Sequence, residues 1–263
     1  MITKGFIRWA RNLRFRVRQF TARYPWMFFS LYQLSPHNRK LMVTKKTKIT
    51  IEGYPRSANT YAVYAFKYVN DLQWNEIGHH LHVQAQVIRS VKYKIPVILL
   101  IRHPLEAVRS MVVRHDFVPV NEALEDYIRF YEDLYELQHG FIVAMFEDVI
   151  QNYGKIIDQL NDRFSSDFNL FPDHDEQAIA AVVEETDKLN RSLDKGKLTH
   201  LYRPDKGKDS LKNAVELQED SELYQKALAI YNKYIALTRN QVVESAANRN
   251  DEKIMKQGRK KNP

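Results

Sequence analysis

The amino-acid sequence predicts an α/β protein in which helices flank a mainly parallel β-sheet. Two segments carry this prediction, because in each an apolar strand pattern is followed by a polar loop and then by a helical pattern. The first segment covers residues 49–68, and the second begins with the apolar run at residues 95–101. This second run is continuous rather than alternating, which is typical of a strand buried on both faces of a parallel sheet.

The first segment has the geometry of an anion site. Its strand residues 49–51 stop at Gly53, a polar loop covers residues 55–60, and a strongly apolar helical pattern starts at Tyr61. The first N–H groups of a helix have no intrahelical acceptor, and the helix dipole adds positive potential at that end. A strand, a loop of small residues and a helix N-terminus therefore favour phosphate or sulfate binding.

Side chains in this loop add to its affinity for anions. Arg56 carries a fixed positive charge, and Ser57, Asn59 and Thr60 supply hydrogen-bond donors. Helix capping is the alternative explanation for these small polar residues. A nucleoside-triphosphate P-loop requires a lysine in the loop, and none lies between residues 52 and 66.

The second segment brings a basic residue to the carboxyl end of its strand. The apolar run ends at Arg102, and Pro104 stands near the first position of the next helix, where a missing N–H costs little. Ser110 follows Arg102 by eight positions, two turns into that helix. Ligands of open α/β sheets bind beyond the carboxyl ends of the strands, so Arg102 and the first loop are expected to face one crevice.

Three motifs, taken in order, resemble those of the sulfotransferases that use 3′-phosphoadenosine 5′-phosphosulfate (PAPS). Residues 54–60, Tyr-Pro-Arg-Ser-Ala-Asn-Thr, resemble the family's 5′-phosphosulfate loop, and Arg102 followed by Ser110 resembles its 3′-phosphate motif. Residues 145–149, Met-Phe-Glu-Asp-Val, are similar to the Tyr-Glu-Asp-Leu that follows a later strand. The resemblance spans residues 54–149. It implies a P-loop-like three-layer sandwich, with PAPS as the sulfuryl donor and no metal.

The resemblance also implies a role for each matching residue. Arg56 would stabilise the charge that develops on the transferred sulfuryl group. Arg102 and Ser110 would bind the 3′-phosphate, and Phe146 would stack near the adenine. The residues implied at the 5′-phosphosulfate are Arg56, Ser57, Ala58, Asn59, Thr60 and Tyr61.

The chain departs from the family pattern at Arg56, where arginine in place of lysine keeps the charge but changes its reach, and at Ala58. Ala58 stands where the family usually has glycine, and a positive φ would be costly there. Asn59 tolerates the left-handed region better, so we expect the turn to shift by one position.

A C-terminal loop that closes over the 3′-phosphate has its counterpart at residues 202–208, with Arg203 and Lys206 as candidates. An ordinary solvated basic loop is the alternative there.

A catalytic base is implied upstream of Arg102, where three histidines fall within four residues. His80 lies 22 positions before Arg102, with His79 and His82 beside it. A largely neutral imidazole is suited to accept a proton from an acceptor hydroxyl. We predict His80 as the base, His82 as the second candidate and Arg56 as a further catalytic residue. A polar loop and a metal site are the alternatives, and the absence of cysteine disfavours the metal.

These residues together predict a sulfotransferase that moves a sulfuryl group from PAPS to an acceptor hydroxyl by in-line displacement. The acceptor would be a glycan, a glycolipid or a small molecule. Two other classes stay open, namely a non-catalytic membrane or nucleic-acid binding protein that uses its basic ends, and a nucleotide kinase of P-loop-related fold. Nucleic-acid binding is disfavoured because it leaves the ordered motifs unexplained.

Charge is distributed unevenly along the 263 residues, whose net charge is +8. Residues 1–48 hold twelve lysines and arginines and no acid, and residues 249–263 hold six basic residues against two acidic ones. The remaining 22 basic and 30 acidic residues lie between these ends. We therefore divide the chain into a basic N-terminal extension (1–40), a catalytic domain (41–248) and a basic C-terminal tail (249–263).

Residues 2–29 show the pattern of a basic amphipathic helix. Apolar residues recur at helical spacing from Ile2 to Phe20, while basic residues occupy the other faces. This pattern is typical of a helix in an anionic membrane interface, and the apolar run is too short to span a bilayer. The alternative is a helix docked on the acidic catalytic domain. The absence of cysteine permits the cytoplasmic location that we expect, with or without peripheral membrane attachment.

Overall fold

A computed structural model of the chain describes residues 4–194 and 206–259, which form an α/β fold around a four-stranded parallel sheet. The strands are β1 (Ile49–Gly53), β2 (Ile77–His79), β3 (Val97–Ile101) and β4 (Ile142–Met145), in the order β2-β1-β3-β4. All three strand pairs are parallel, with Ile51 opposite His79 on one side and Ile98 on the other. The predicted α/β class, with helices flanking a parallel sheet, is confirmed.

Helices precede and follow every strand. Before β1 lie α1 (Lys4–Ala22), α2 (Pro25–Tyr32) and α3 (Pro36–Arg39). The strands are then connected by α4 (Asn59–Val69), α5 (Gln84–Lys92), α6 (Pro104–Arg114) and α7 (Val120–Tyr135), with short 3-10 turns at Trp74–Glu76 and Gln138–Gly140. After β4 come α8 (Phe146–Gln151), α9 (Tyr153–Phe164), α10 (Glu176–Asp194), α11 (Lys206–Asn213) and α12 (Glu222–Arg259).

Two hydrophobic cores lie on opposite faces of the sheet and make a three-layer structure. Alternate residues of β3 point to opposite faces, so Leu99 joins one core and Ile98 and Leu100 join the other. The first core is completed by α6, α7 and α12, and the second by α4, α9 and α10. Helices on both faces explain why the apolar run of β3 is continuous.

The N-terminal helices pack beside this sandwich. Ala22, Phe28 and Phe29 form a third, smaller core together with residues of α5 and of the loop that precedes it. No helix among the described residues is both long enough and apolar enough to cross a membrane.

The strand order sets the position of the crevice. The chain leaves β1 toward β2 on one side and then crosses to β3 on the other side, so the direction of winding changes between β1 and β3. In open parallel sheets, ligands bind at such a switch point, beyond the carboxyl ends of the strands. The residues that follow Gly53 and Ile101 therefore meet at the expected position of a ligand.

Candidate active site

The loop after β1 turns sharply into α4. Gly53 is required at the end of the strand, because a Cβ atom there would lie 2.4 Å from the carbonyl oxygen of Leu100. Arg56 and Ala58 both take left-handed backbone conformations, with φ of 73° and 67°. Turns of this kind let successive N–H groups converge on an anion.

The expected shift of the turn to Asn59 is wrong. Ala58 itself takes the positive φ, at a cost of about 1 kcal/mol, and Asn59 is the first residue of α4. Helical hydrogen bonding starts from the Ala58 carbonyl, which accepts from Ala62 N at 3.0 Å. The Asn59 amide donates to Tyr54 O at 3.0 Å, so the Asn59 side chain closes the loop from within the helix.

Two hydroxyl groups of this loop lie at the N-terminus of α4. Ser57 is fully buried, and its hydroxyl lies near that of Tyr131 but makes no well-formed hydrogen bond to any described residue. Thr60 Oγ1 lies 3.2 Å from Nε2 of His80, so it joins the loop to the histidine cluster. Tyr61 contributes only its backbone to this end, because its ring is buried near Phe171.

The arginines of the two predicted phosphate motifs meet directly. Arg56 Nε donates to Ser110 Oγ at 2.9 Å, and Arg102 Nη1 donates to Arg56 O at 3.3 Å. Burial, together with the charges of Arg114 and Arg102, lowers the pKa of Arg56 to about 10. Across the described residues, no carboxylate forms an ion pair with Arg56. A partly buried cation among like charges favours an anionic ligand, which would supply the missing countercharge.

Arg102 sits between an aromatic ring and an acidic side chain. Its guanidinium carbon lies 4.1 Å from the ring centre of Phe146, and Nη2 donates to Glu106 at 3.1 Å. Glu106 also lies 3.8 Å from Nζ of Lys212 in α11. These contacts leave one face of Phe146 covered by Arg102, so a base that stacks on this ring would use the other face.

The histidine cluster follows β2, next to the first loop. His80 and His82 both have positive φ, 55° and 49°, which stores about 1–3 kcal/mol of strain at each residue. The Nδ1 atoms of His79 and His80 lie 2.6 Å apart, so one of them donates to the other. His82 Nδ1 lies 2.9 Å from Gly53 O and must carry its proton, because a carbonyl oxygen only accepts. The Nε2 atom of neutral His82 therefore bears a lone pair.

Burial keeps these imidazoles neutral. It lowers the pKa of His80 to about 4 and, together with the His80 charge, lowers that of His79 to about 3. Burial also holds the pKa of His82 well below its usual value. An anion bound beside His80 would raise its pKa and improve it as a base, since opposite charges favour the protonated form.

Glu52 holds this loop in its strained conformation and was not found from the sequence. Its carboxylate is fully buried and accepts hydrogen bonds from Leu81 N at 2.8 Å and His82 N at 3.0 Å. Burial raises its pKa to about 7, although the two N–H donors act in the opposite direction. The available signal was an acidic residue at the end of an apolar strand, directly before the glycine that ends the strand.

Buried tyrosines fix the backbone that carries the arginines. Tyr127 donates to Arg102 O at 2.8 Å, and Tyr131 donates to Leu100 O at 2.8 Å. The Tyr131 hydroxyl also accepts from Tyr54 N at 3.3 Å. The sequence shows tyrosines on one face of a helix, but it does not show which distant carbonyl groups they reach.

The remaining predicted residues belong to the closing loop. Arg203 lies outside the described residues, and Lys206 is the first residue of α11. This helix packs near α6, where Lys212 approaches Glu106. Lys212, four positions after the predicted stretch 202–208, therefore lies near Arg102 through this contact with Glu106.

Comparison with known proteins assigns no family to this chain. No protein-family model matches it, and a search of curated proteins likewise finds no match. The resemblance to sulfotransferases therefore rests on three short motifs and on the site that they form. What it implies about activity is a proposal.

Proposed function

We propose that this protein is a PAPS-dependent sulfotransferase that acts on a hydroxyl-bearing acceptor. The observation that carries the proposal is the meeting of Arg56 with Ser110 and Arg102 at the switch point between β1 and β3. Arg56 has no carboxylate partner among the described residues there, and the N-terminus of α4 is adjacent. A ligand with two anionic groups fits such a site better than a ligand with one.

The residues present suit the two ends of the donor. At the 5′ end, the Ser57 hydroxyl, the first-turn N–H groups of α4 and the Arg56 guanidinium would bind the phosphosulfate. At the 3′ end, Arg102 and Ser110 would bind the phosphate, and Phe146 would stack on the adenine. We also propose that the sandwich is of the P-loop-like type.

The reaction is an in-line displacement at sulfur. PAPS would supply the sulfuryl group; the acceptor oxygen forms a bond to sulfur while the bond from sulfur to the bridging phosphate oxygen breaks. 3′-Phosphoadenosine 5′-phosphate leaves with the electron pair of that bond. His80 Nε2 takes the acceptor proton when His80 Nδ1–H donates to His79. Arg56 stabilises the charge on the departing oxygen.

Calorimetry with 3′-phosphoadenosine 5′-phosphate tests the donor site. We expect binding by the wild type and at least a tenfold loss with Arg102→Ala, because a charged hydrogen bond contributes about 1.5–3 kcal/mol. Arg129→Ala, which removes an exposed arginine paired with Glu125, is the matched control and keeps full affinity. Adenosine 5′-phosphate should bind more weakly, since it lacks the group that Arg102 would bind. Absence of binding by the wild type, or equal binding by Arg102→Ala, would refute the proposal, and preference for ATP would favour a kinase.

Single-turnover transfer from labelled PAPS tests the base. We expect His80→Ala to lower the rate of transfer about 100-fold or more, within the range of general base catalysis. His82→Ala reports on the second candidate, and His174→Ala removes an exposed histidine as a control. Unchanged rates in both of the first two variants would remove the histidine cluster from the mechanism.

A further inference from the structure

Helix α1 lies against the protein with its polar face. Asn12 Nδ2 donates to Glu122 of α7 at 2.8 Å, and Arg23, the residue after α1, makes two hydrogen bonds of 2.8 Å to Asp133 of α7. Arg16 also pairs with Glu122. Amphipathic helices of globular proteins usually bury their apolar face, so this orientation is inverted.

The opposite face of α1 carries an apolar stripe that the described residues leave exposed. From Phe6 to Tyr24 its members recur every three or four positions, and Trp26 extends them into α2. The apolar stripe consists of Phe6, Trp9, Leu13, Val17, Phe20, Tyr24 and Trp26, which are between 42% and 70% exposed. Ten of the seventeen exposed large hydrophobic side chains of the described chain lie between residues 6 and 34. Such a concentration marks an interaction surface.

All charged side chains of the segment that carries the apolar stripe are positive. Residues 1–48 contain twelve basic residues and no acid. Arg11 and Arg14 are exposed on α1, and Lys40, Lys45 and Lys46 are exposed after α3. Positive charge around an apolar surface complements the headgroups of an anionic bilayer, to which each basic residue contributes about 1 kcal/mol.

We propose that the apolar stripe and its basic surroundings dock on an anionic lipid bilayer. Trp9, Tyr24 and Trp26 would lie at headgroup depth, where amphipathic aromatic rings are favoured. A second copy of the chain fits less well, because a two-fold contact through this surface would bring two positive surfaces together. This proposal does not depend on the activity proposed above.

Docking would also fix the orientation of the active site. Arg18 of α1 donates to the carbonyl oxygen of Leu81, inside the histidine loop. Phe15, on the side of α1 that faces the protein, is buried in the core that contains Val87 of α5. The helix is therefore held to the loop that carries His80 and His82, and a membrane-bound α1 would set the distance of that loop from the bilayer.

Flotation with lipid vesicles tests this proposal. We expect the full chain to float with phosphatidylcholine vesicles that contain about one-third phosphatidylserine, and to stay in solution with phosphatidylcholine alone. The double variant Trp9→Ser/Phe20→Ser should lower the bound fraction at least tenfold. The double variant Arg11→Glu/Arg14→Glu should weaken binding and reduce its dependence on salt. Because these four side chains are exposed, thermal unfolding of both variants should match the wild type.

A matched control uses exposed apolar residues elsewhere. Leu170→Ser/Val243→Ser changes side chains that are 49% and 68% exposed and lie outside the stripe, so this variant should float like the wild type. Absence of flotation by the wild type, or flotation that Trp9→Ser/Phe20→Ser leaves unchanged, would overturn the proposal. A dimer in sedimentation equilibrium that this same variant dissociates would also overturn it, by assigning the stripe to a second copy.

Discussion

Replacing Glu52 with glutamine should change how stability depends on pH. In the folded protein, burial raises the pKa of Glu52 to about 7, against 4.5 for an exposed glutamate. Between these values, the unfolded chain has released the proton while the folded protein still holds it. Stability contributed by protonated Glu52 is therefore fully present below pH 4.5 and is lost as the pH rises through about 7.

The magnitude follows from the two pKa values. Each pKa unit corresponds to about 1.4 kcal/mol, so the complete change is about 3 kcal/mol, of which about 2.5 kcal/mol falls between pH 5 and pH 8. Glutamine does not titrate, and its side chain can accept from only one of the two N–H donors. The lost hydrogen bond lowers the free energy of unfolding by an amount that does not vary with pH. Other buried groups, such as Asp126, titrate in both proteins and cancel in the difference.

Urea unfolding followed by circular dichroism at several pH values measures this difference. The free energy of unfolding of the wild type minus that of Glu52→Gln should fall by about 2.5 kcal/mol from pH 5 to pH 8. The control, Glu125→Gln, changes an exposed carboxylate on α7 and should give a nearly constant difference. A constant or rising difference for Glu52→Gln would show that Glu52 does not hold its proton in the folded protein.

Two further changes test the backbone around the arginines. Tyr127→Phe should lower the free energy of unfolding by about 1 kcal/mol, because the Arg102 carbonyl loses a buried donor. Tyr153→Phe is its control, since the buried Tyr153 hydroxyl has no hydrogen-bond partner in the described part of the chain, and equal effects of the two would contradict the assigned role. Ala58→Gly should raise the melting temperature by removing up to about 1 kcal/mol of left-handed strain. Ala62→Gly, inside α4, should lower it, and a lower melting temperature for both would mean that Ala58 is unstrained.

Local sequence patterns predicted the parts of the fold that depend on neighbouring residues. The continuous apolar run of β3 indicated a strand covered on both faces, and the two cores of the sandwich bear this out. The strand–loop–helix pattern around Arg56 and the strand end at Arg102 likewise follow from turn chemistry and periodicity. The meeting of these two segments could be expected because parallel strands carry their ligand loops at one edge of the sheet.

Local patterns did not predict the backbone conformation where it depends on distant groups. Glycine preference argued against a positive φ at Ala58, yet the closure of the loop by Asn59 places it there. The role of Glu52 could not be found from the sequence, because its partners Leu81 and His82 lie about thirty positions away. Composition alone does not show that Glu52 accepts hydrogen bonds from the backbone of the histidine loop.

Helix α1 is the clearest example of a feature that is predicted in part by the sequence and in part known only from the folded structure. The sequence predicts that this helix is amphipathic, since its apolar and basic residues recur with the period of a helix. Which face turns inward depends on Glu122 and Asp133, more than a hundred positions further along the chain. Sequence patterns were therefore sufficient for the elements, their charges and the edge of the sheet where a ligand is expected. The contact of Arg56 with Ser110 and the outward orientation of the apolar stripe were visible only in the folded structure, because both depend on contacts between segments far apart in the chain.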